Sequence, residues 1–140
     1  MTVVASKFRL RFRLRVGIDI GKDYLDICLA HGYVGQEARF SGFGRFTNDA
    51  VGFEALLNWV VEQAPNHEEV APEFVMEATG VYYQQLAHWL HNQGYKVSVL
   101  LPNLPKAFAR SFNIKTKNDQ VDARVLAHMG YMRRLHGWKP

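Results

Sequence analysis

The chain has 140 residues, with 17 basic and 13 acidic side chains, a formal net charge of +4, and 48% apolar residues. That length suits one domain able to bury about 70% of its unfolded surface, and neither a repeat nor a low-complexity segment is visible. The single cysteine, Cys28, excludes an internal disulfide and fits a reducing compartment. No apolar stretch approaches the roughly 18 residues of a membrane span, and the charged N-terminus lacks the apolar core of a secretory signal. A cytoplasmic protein with no membrane partner is expected.

In chain order, 15–22 reads as a strand with Val16, Ile18 and Ile20 on one face and Gly17, Asp19 and Gly21 on the other. Tyr24–Ala30 alternates Leu25, Ile27 and Leu29 with Asp26, Cys28 and Ala30, close enough to the first strand to form a hairpin. A third strand, 37–43, follows the turn-like 31–35. The period then changes: Phe53, Leu56, Leu57, Val60, Val61 and Ala64 recur at helical spacing after the cap candidates Thr47, Asn48 and Asp49, and Pro65 ends the helix. Phe74–Ala78 has the continuous apolar character of a buried parallel strand. Val81–Gln93 is helical with Gly94 suited to its C-terminal cap, and Tyr95–Leu101 is a strand closed by Pro102. A short helix over Lys106–Phe112, a polar basic loop over 113–118 and a final helix over Asp119–Arg134 complete the chain. The order β-β-β-α-β-α-β-α predicts a mixed sheet with helices on both faces, the ribonuclease H-like α/β arrangement. Actin-like ATPases share this core, so order alone does not select the chemistry.

Charge is partitioned along the chain. Residues 1–16 hold five basic side chains and no acid, 106–140 hold eight basic and two acidic, and 17–105 hold four basic and eleven acidic. Basic ends around an acidic centre suit a polyanion held near a carboxylate site. We read 1–14 as a basic arm and 15–140 as the domain. Within the arm, Arg9, Arg11 and Arg13 alternate with Leu10, Phe12 and Leu14, so an extended conformation has one basic and one apolar face. These arginines are candidate nucleic-acid contacts, with Lys22, Arg110, Lys115, Lys117 and Arg124. For the arm the competing reading is an extension of the first strand or a partly disordered segment; for Lys115 and Lys117 it is simple loop solvation.

Four carboxylates sit where the local sequence should resist them. Asp19 interrupts a β-branched run, Glu77 closes Phe74-Val-Met-Glu77, and Asp119 and Asp122 open the final helix. An unpaired buried carboxylate costs several kcal/mol, so such groups are usually paired or hold a metal. A helical projection groups Val121, Met132, Val125, Met129 and Leu126 in one arc, with Asp122 inside it and Asp119 at its edge. Strand ends carrying Asp19 and Glu77 can share a cleft with that helix face. Converging acids repel without counter-charge, and Mg²⁺ or Mn²⁺ with all-oxygen ligands resolves the repulsion. The plainer alternatives are that Asp119 caps its helix and that Glu77 faces solvent.

Gly17-Ile-Asp-Ile-Gly-Lys22, Met76-Glu-Ala-Thr-Gly80 and Lys115-Thr-Lys-Asn-Asp-Gln-Val-Asp-Ala123 resemble, in order and spacing, the N-terminal domain of DEDD transposases of the insertion-sequence 110 type, relatives of Piv-type DNA invertases. The resemblance spans about 15–135. It implies a RuvC-like fold in which Asp19, Glu77, Asp119 and Asp122 are catalytic and bind divalent metal. It also implies DNA as substrate, a structured guide RNA in some members, and homo-oligomeric assembly. The family continues into a second domain bearing a serine nucleophile, so the expectation is an isolated domain or truncated product. Three functions follow: a metal-dependent transposase or recombinase domain acting on DNA phosphodiesters, a non-catalytic nucleic-acid-binding and assembly module, or an actin-like ATPase fragment with Asp19-Ile-Gly-Lys22 near nucleotide phosphates.

Overall fold

The computed structural model describes residues 11–64, 70–112 and 119–140, the side chains of 119–121 excepted. Its elements are β1 (Phe12–Ile20), β2 (Tyr24–Tyr33), β3 (Arg39–Thr47), α1 (Ala50–Gln63), β4 (Glu73–Glu77), α2 (Gln84–Asn92), β5 (Val97–Leu100), α3 (Asn103–Ser111) and α4 (Asp119–Met132). The five strands form one sheet in the order β3-β2-β1-β4-β5. β1, β2 and β3 pair antiparallel, and β4 and β5 join parallel to β1. The mixed ribonuclease H-like sheet expected from the element order is therefore the fold.

The two-residue period of β1 divides the core. Leu14, Val16 and Ile18 join Leu25, Ile27 and Leu29 of β2 and Phe74 and Met76 of β4 on one face, fully buried. Phe53, Leu56 and Val60 of α1 and Leu86, Ala87 and Leu90 of α2 close that side. Each such side chain contributes about 1.5–3 kcal/mol on burial. The opposite face carries Gly17 of β1 and Ala30 of β2, with Val75 of β4 and Leu100 of β5, and it is covered by α4 and α3.

Several boundaries differ from the sequence reading for identifiable reasons. β1 begins at Phe12 because Phe12 and Leu14 continue the apolar alternation into the core, so the end of the arm is strand. β3 runs to Thr47, beyond the expected end at 43, because Gly44–Thr47 still pair with Tyr24–Ile27 past a bulge at Gly42, opposite Cys28/Leu29. α3 starts at Asn103, ahead of Lys106; Pro105 falls in its first turn, where a missing N–H breaks no helical bond. α2 starts at Gln84, since Val81–Tyr83 form a turn. Its end follows expectation: Gly94 at φ 91° lets Tyr95 N–H reach the Leu90 carbonyl and Gly94 N–H the His91 carbonyl, a Schellman closure. For α1, Asp49 is the cap, accepting from Gly52 N–H at 2.8 Å and from the Thr47 hydroxyl at 2.8 Å.

Beyond α4 the chain returns along β5, where Trp138 N–H donates to the Val97 carbonyl and the Ser98 hydroxyl to the His136 carbonyl. Trp138 also packs edge-on against His88 and His91 of α2. This tail occupies an edge that otherwise presents unpaired backbone groups. Among the described residues, no helix is long and apolar enough to cross a membrane.

Candidate carboxylate site

The site begins with a close approach. α4 crosses β1 so near that a Cβ on Gly17 would strike the Ala123 carbonyl oxygen and the Ala127 nitrogen, and would lie 3.0 Å from Ala127 Cα. Glycine is required because backbone, not a flexible side chain, fills the space. On the helix side the matching residues are small: Ala123, Ala127 and Gly130. The projection from bulky residues therefore misplaced the centre of the contact. Met132, expected inside the arc, is 51% exposed, whereas Ala123 and Ala127 are fully buried. A search for large apolar groups overlooks a surface made for backbone proximity.

α4 runs opposite to β1. Gly130 lies over Arg15, and the Tyr131 carbonyl accepts from Arg13 Nη1 at 2.6 Å. Ala123 sits over Gly17, so the start of α4 is directed toward the Asp19 end of β1. Asp122 is partly buried beside Ala123. β1 pairs β4 with Ile18 opposite Met76, and one step further along the register sets Asp19 beside Glu77. Glu77 is partly buried and accepts from the Thr79 hydroxyl at 3.2 Å. Asp19 is partly buried too.

A fifth carboxylate shares this row. Asp26 is the β2 partner of Asp19, and Arg45 is the β3 partner of Asp26. Arg45 binds Asp26 through two parallel hydrogen bonds, Nε to Oδ1 at 2.9 Å and Nη2 to Oδ2 at 3.0 Å. Like charges directly opposite destabilise a sheet, and the bidentate guanidinium offsets the second acid. The sequence signal was present but unread: 19 and 26 are mirror positions across the β1–β2 turn. Asn48 was read only as a cap candidate. Its Nδ2 donates to the Gly21 carbonyl at 2.9 Å and the Tyr82 carbonyl at 3.0 Å, tying the loop after Asp19 to the turn after Glu77. Its Oδ1 is buried with no hydrogen-bond partner among the described residues.

The donor chemistry of Asp19, Glu77 and Asp122 is all carboxylate oxygen, which suits a hard divalent cation. Among the described residues, no three His, Cys, Asp or Glu side chains form a group able to hold a metal ion; the side chain of Asp119 lies outside them. The basic candidates do not gather at this end. Lys22 is exposed in the β1–β2 turn next to it. Arg11 and Arg13 stand at the other end of β1, and Arg13 caps the C-terminus of α4. Arg110 is exposed in the last turn of α3, and Arg124 lies 4.2 Å over the Phe40 ring. Arg9, Lys115 and Lys117 fall outside the described residues. Tyr83 and Trp89 pack on the core, while Tyr82 is 46% exposed.

Residues 16–140 match the family described as transposase, of the insertion-sequence 110 DEDD type. The chain belongs to that family. Membership selects the transposase reading over the actin-like ATPase. This DEDD domain is 35% identical over 125 residues to the pilin gene-inverting proteins of Moraxella bovis and Moraxella lacunata, matching 89% of the chain and 36% of each relative. The domain thus spans about a third of those relatives. Among solved structures it is similar to Thermus thermophilus RuvC, with a TM-score of 0.61 and 14% identity over 89% of this chain and 99% of that one. The same protein in complex with a Holliday junction substrate gives a TM-score of 0.59 at 13% identity, again over 89% and 99%. These likenesses establish the RuvC-like fold of the DEDD domain.

Proposed function

We propose that this domain acts on DNA phosphodiesters during strand exchange, with Mg²⁺ or Mn²⁺ held by Asp19, Glu77, Asp119 and Asp122. The observation that carries the reading is the register of the sheet under α4. It sets Asp19 and Glu77 at adjoining strand ends and directs the start of α4, bearing Asp119 and Asp122, toward them. Membership of the transposase family and 35% identity to proteins named for inverting a pilin gene support DNA as substrate. A RuvC-like fold, seen elsewhere with a Holliday junction, is consistent with branched DNA.

Bound divalent ions would supply charge stabilisation at the phosphodiester and a more acidic attacking oxygen. The chain's own part is positional. Arg45 neutralises Asp26, the acid opposite Asp19 on β2. Backbone contact at Gly17 fixes α4, and with it Asp122, relative to β1. Asn48 holds the loops flanking Asp19 and Glu77 against each other. Lys22, Arg110, Arg124, Lys115 and Lys117 would contact phosphates. A structured guide RNA, homo-oligomeric assembly and cytoplasmic location belong to the same proposal.

A second reading is an assembly module that binds DNA without chemistry of its own. Nicking of supercoiled plasmid by the chain in Mn²⁺ separates the two. The catalytic reading expects nicking that Asp19→Asn abolishes. Salt-sensitive DNA binding with no nicking above the Asp19→Asn background would favour the module.

A further inference from the structure

The basic arm leads to a feature that the carboxylate site does not use. At the far end of the sheet a cavity of about 210 Å³ is lined by Arg11, Phe12, Arg13, Arg15, Val70, Glu73, Lys96 and Arg134. Among the described residues, five cations and one carboxylate line it. Glu73 is shared: its Oε2 lies 3.4 Å from Arg15 Nη1 and its Oε1 3.4 Å from Lys96 Nζ. The remaining charge comes from three different places in the chain: β1, the approach to β5 and the segment after α4. Arg15 is only 12% exposed at its side chain, and burial together with the neighbouring Arg13 lowers its pKa. Cations collected in a partly desolvated concavity repel one another unless an anion joins them. The space corresponds to roughly seven water volumes, enough for a tetrahedral oxyanion with its ester substituents.

We propose that this cavity binds a phosphate of a nucleic-acid backbone, as an anchor separate from the carboxylate row. The ligand chemistry is a phosphate oxyanion held by guanidinium forks and an ammonium. The backbone source, rather than free phosphate, is favoured by the setting. Arg11 is exposed at the rim, and Lys7 and Arg9 precede it in the sequence. Phe12 lies beside it in an aromatic group with Tyr33, 5.2 Å between ring centroids, and His31, 6.3 Å. Four strand steps separate Arg15 from Asp19, about 13 Å along β1, so the cavity and the carboxylate row lie at opposite ends of the α4 crossing. The proposal does not depend on metal binding by the carboxylates.

The test is DNA binding by the full chain in EDTA, which keeps it independent of the carboxylate site, using a fluorescein-labelled 20-base-pair duplex across a salt series. Lys96→Gln with Arg134→Gln is compared with Arg39→Gln, an exposed arginine of β3 outside the cavity, and thermal melting verifies that each variant is folded. The double variant is expected to weaken binding on the order of tenfold at 0.1 M salt and to reduce the slope of log affinity against log salt by about 2. Glu73→Gln, which removes a carboxylate lining the cavity, is expected to tighten binding. Equal effects of the double variant and Arg39→Gln on the slope, per charge removed, would overturn the proposal. Phosphate-induced NMR shifts at Lys96 and Arg134 with unchanged duplex affinity would instead identify a free-anion site and overturn the backbone assignment.

Discussion

Gly17→Ala tests the contact on which the site is built. The added methyl meets the Ala123 carbonyl and the Ala127 nitrogen, and lies 3.0 Å from Ala127 Cα. None of these backbone atoms can rotate away. Restoring ordinary contact distances requires α4 to lift by roughly 1 Å, which strips dispersion contacts from both surfaces. Overpacking of this kind costs about 1–3 kcal/mol. Because Asp122 adjoins Ala123, a lift of that size also moves its carboxylate away from β1, and a misplacement near 1 Å can cost a factor of about 100 in a positioned reaction. The assay is urea denaturation monitored by tryptophan fluorescence, with Gly137→Ala as control. There an added Cβ meets only the Lys96 side chain at 3.8 Å or more, so a change within about 0.5 kcal/mol is expected. Equal midpoints for Gly17→Ala and wild type would refute the packing argument, and with it the placement of Asp122.

Asn48→Ala removes both bonds from Nδ2 to Gly21 and Tyr82; a loss of about 1–2 kcal/mol is expected, with faster amide exchange at 21–23 and 80–83, and unchanged exchange there would contradict the clamp. Arg45→Gln leaves Asp26 facing Asp19 across the β1–β2 ladder, but Arg45 is 54% exposed at its side chain, so solvent screening limits the cost to about 1 kcal/mol or less by denaturation at neutral pH. The pKa values of His31 and His128 are lowered from 6.5, chiefly by burial and then by Arg39 and Arg124 respectively. The unfolded chain therefore takes up these protons first, so their stability contribution is complete above about pH 6.5 and declines as the pH falls through the folded values. Urea midpoints should drop between pH 8 and pH 5.5, and His128→Gln should flatten that drop; a midpoint independent of pH would contradict the burial of these rings.

Much of the fold was legible because its signals are local. The alternation of Val16, Ile18 and Ile20, the period from Phe53 to Val60 and the glycine at 94 each follow from one element's own geometry. Glu77 and Asp19 were readable as anomalies because each interrupts or ends an apolar run. What escaped depends on pairing between distant segments. Asp26 gains its meaning only from the hairpin register that sets it opposite Asp19 and beside Arg45. The alanines of α4 look neutral in sequence, yet they are the residues that let the helix touch Gly17. Arg13, read as part of a basic arm, and Arg15, read as the start of the first strand, also secure the last carbonyls of α4, a tertiary contact that spans more than a hundred residues of chain. The short helix expected from Lys106 starts at Asn103, with Pro105 accommodated in its first turn.

The central claim is that the acids at the ends of β1 and β4 and the start of α4 act together as a divalent-metal site. Calorimetric titration of Mn²⁺ into wild type and Asp19→Asn tests it most directly. Saturable binding by the wild type and at least a tenfold weaker response in Asp19→Asn are expected, with the two proteins equally folded by circular dichroism. Equal Mn²⁺ binding by both would contradict it.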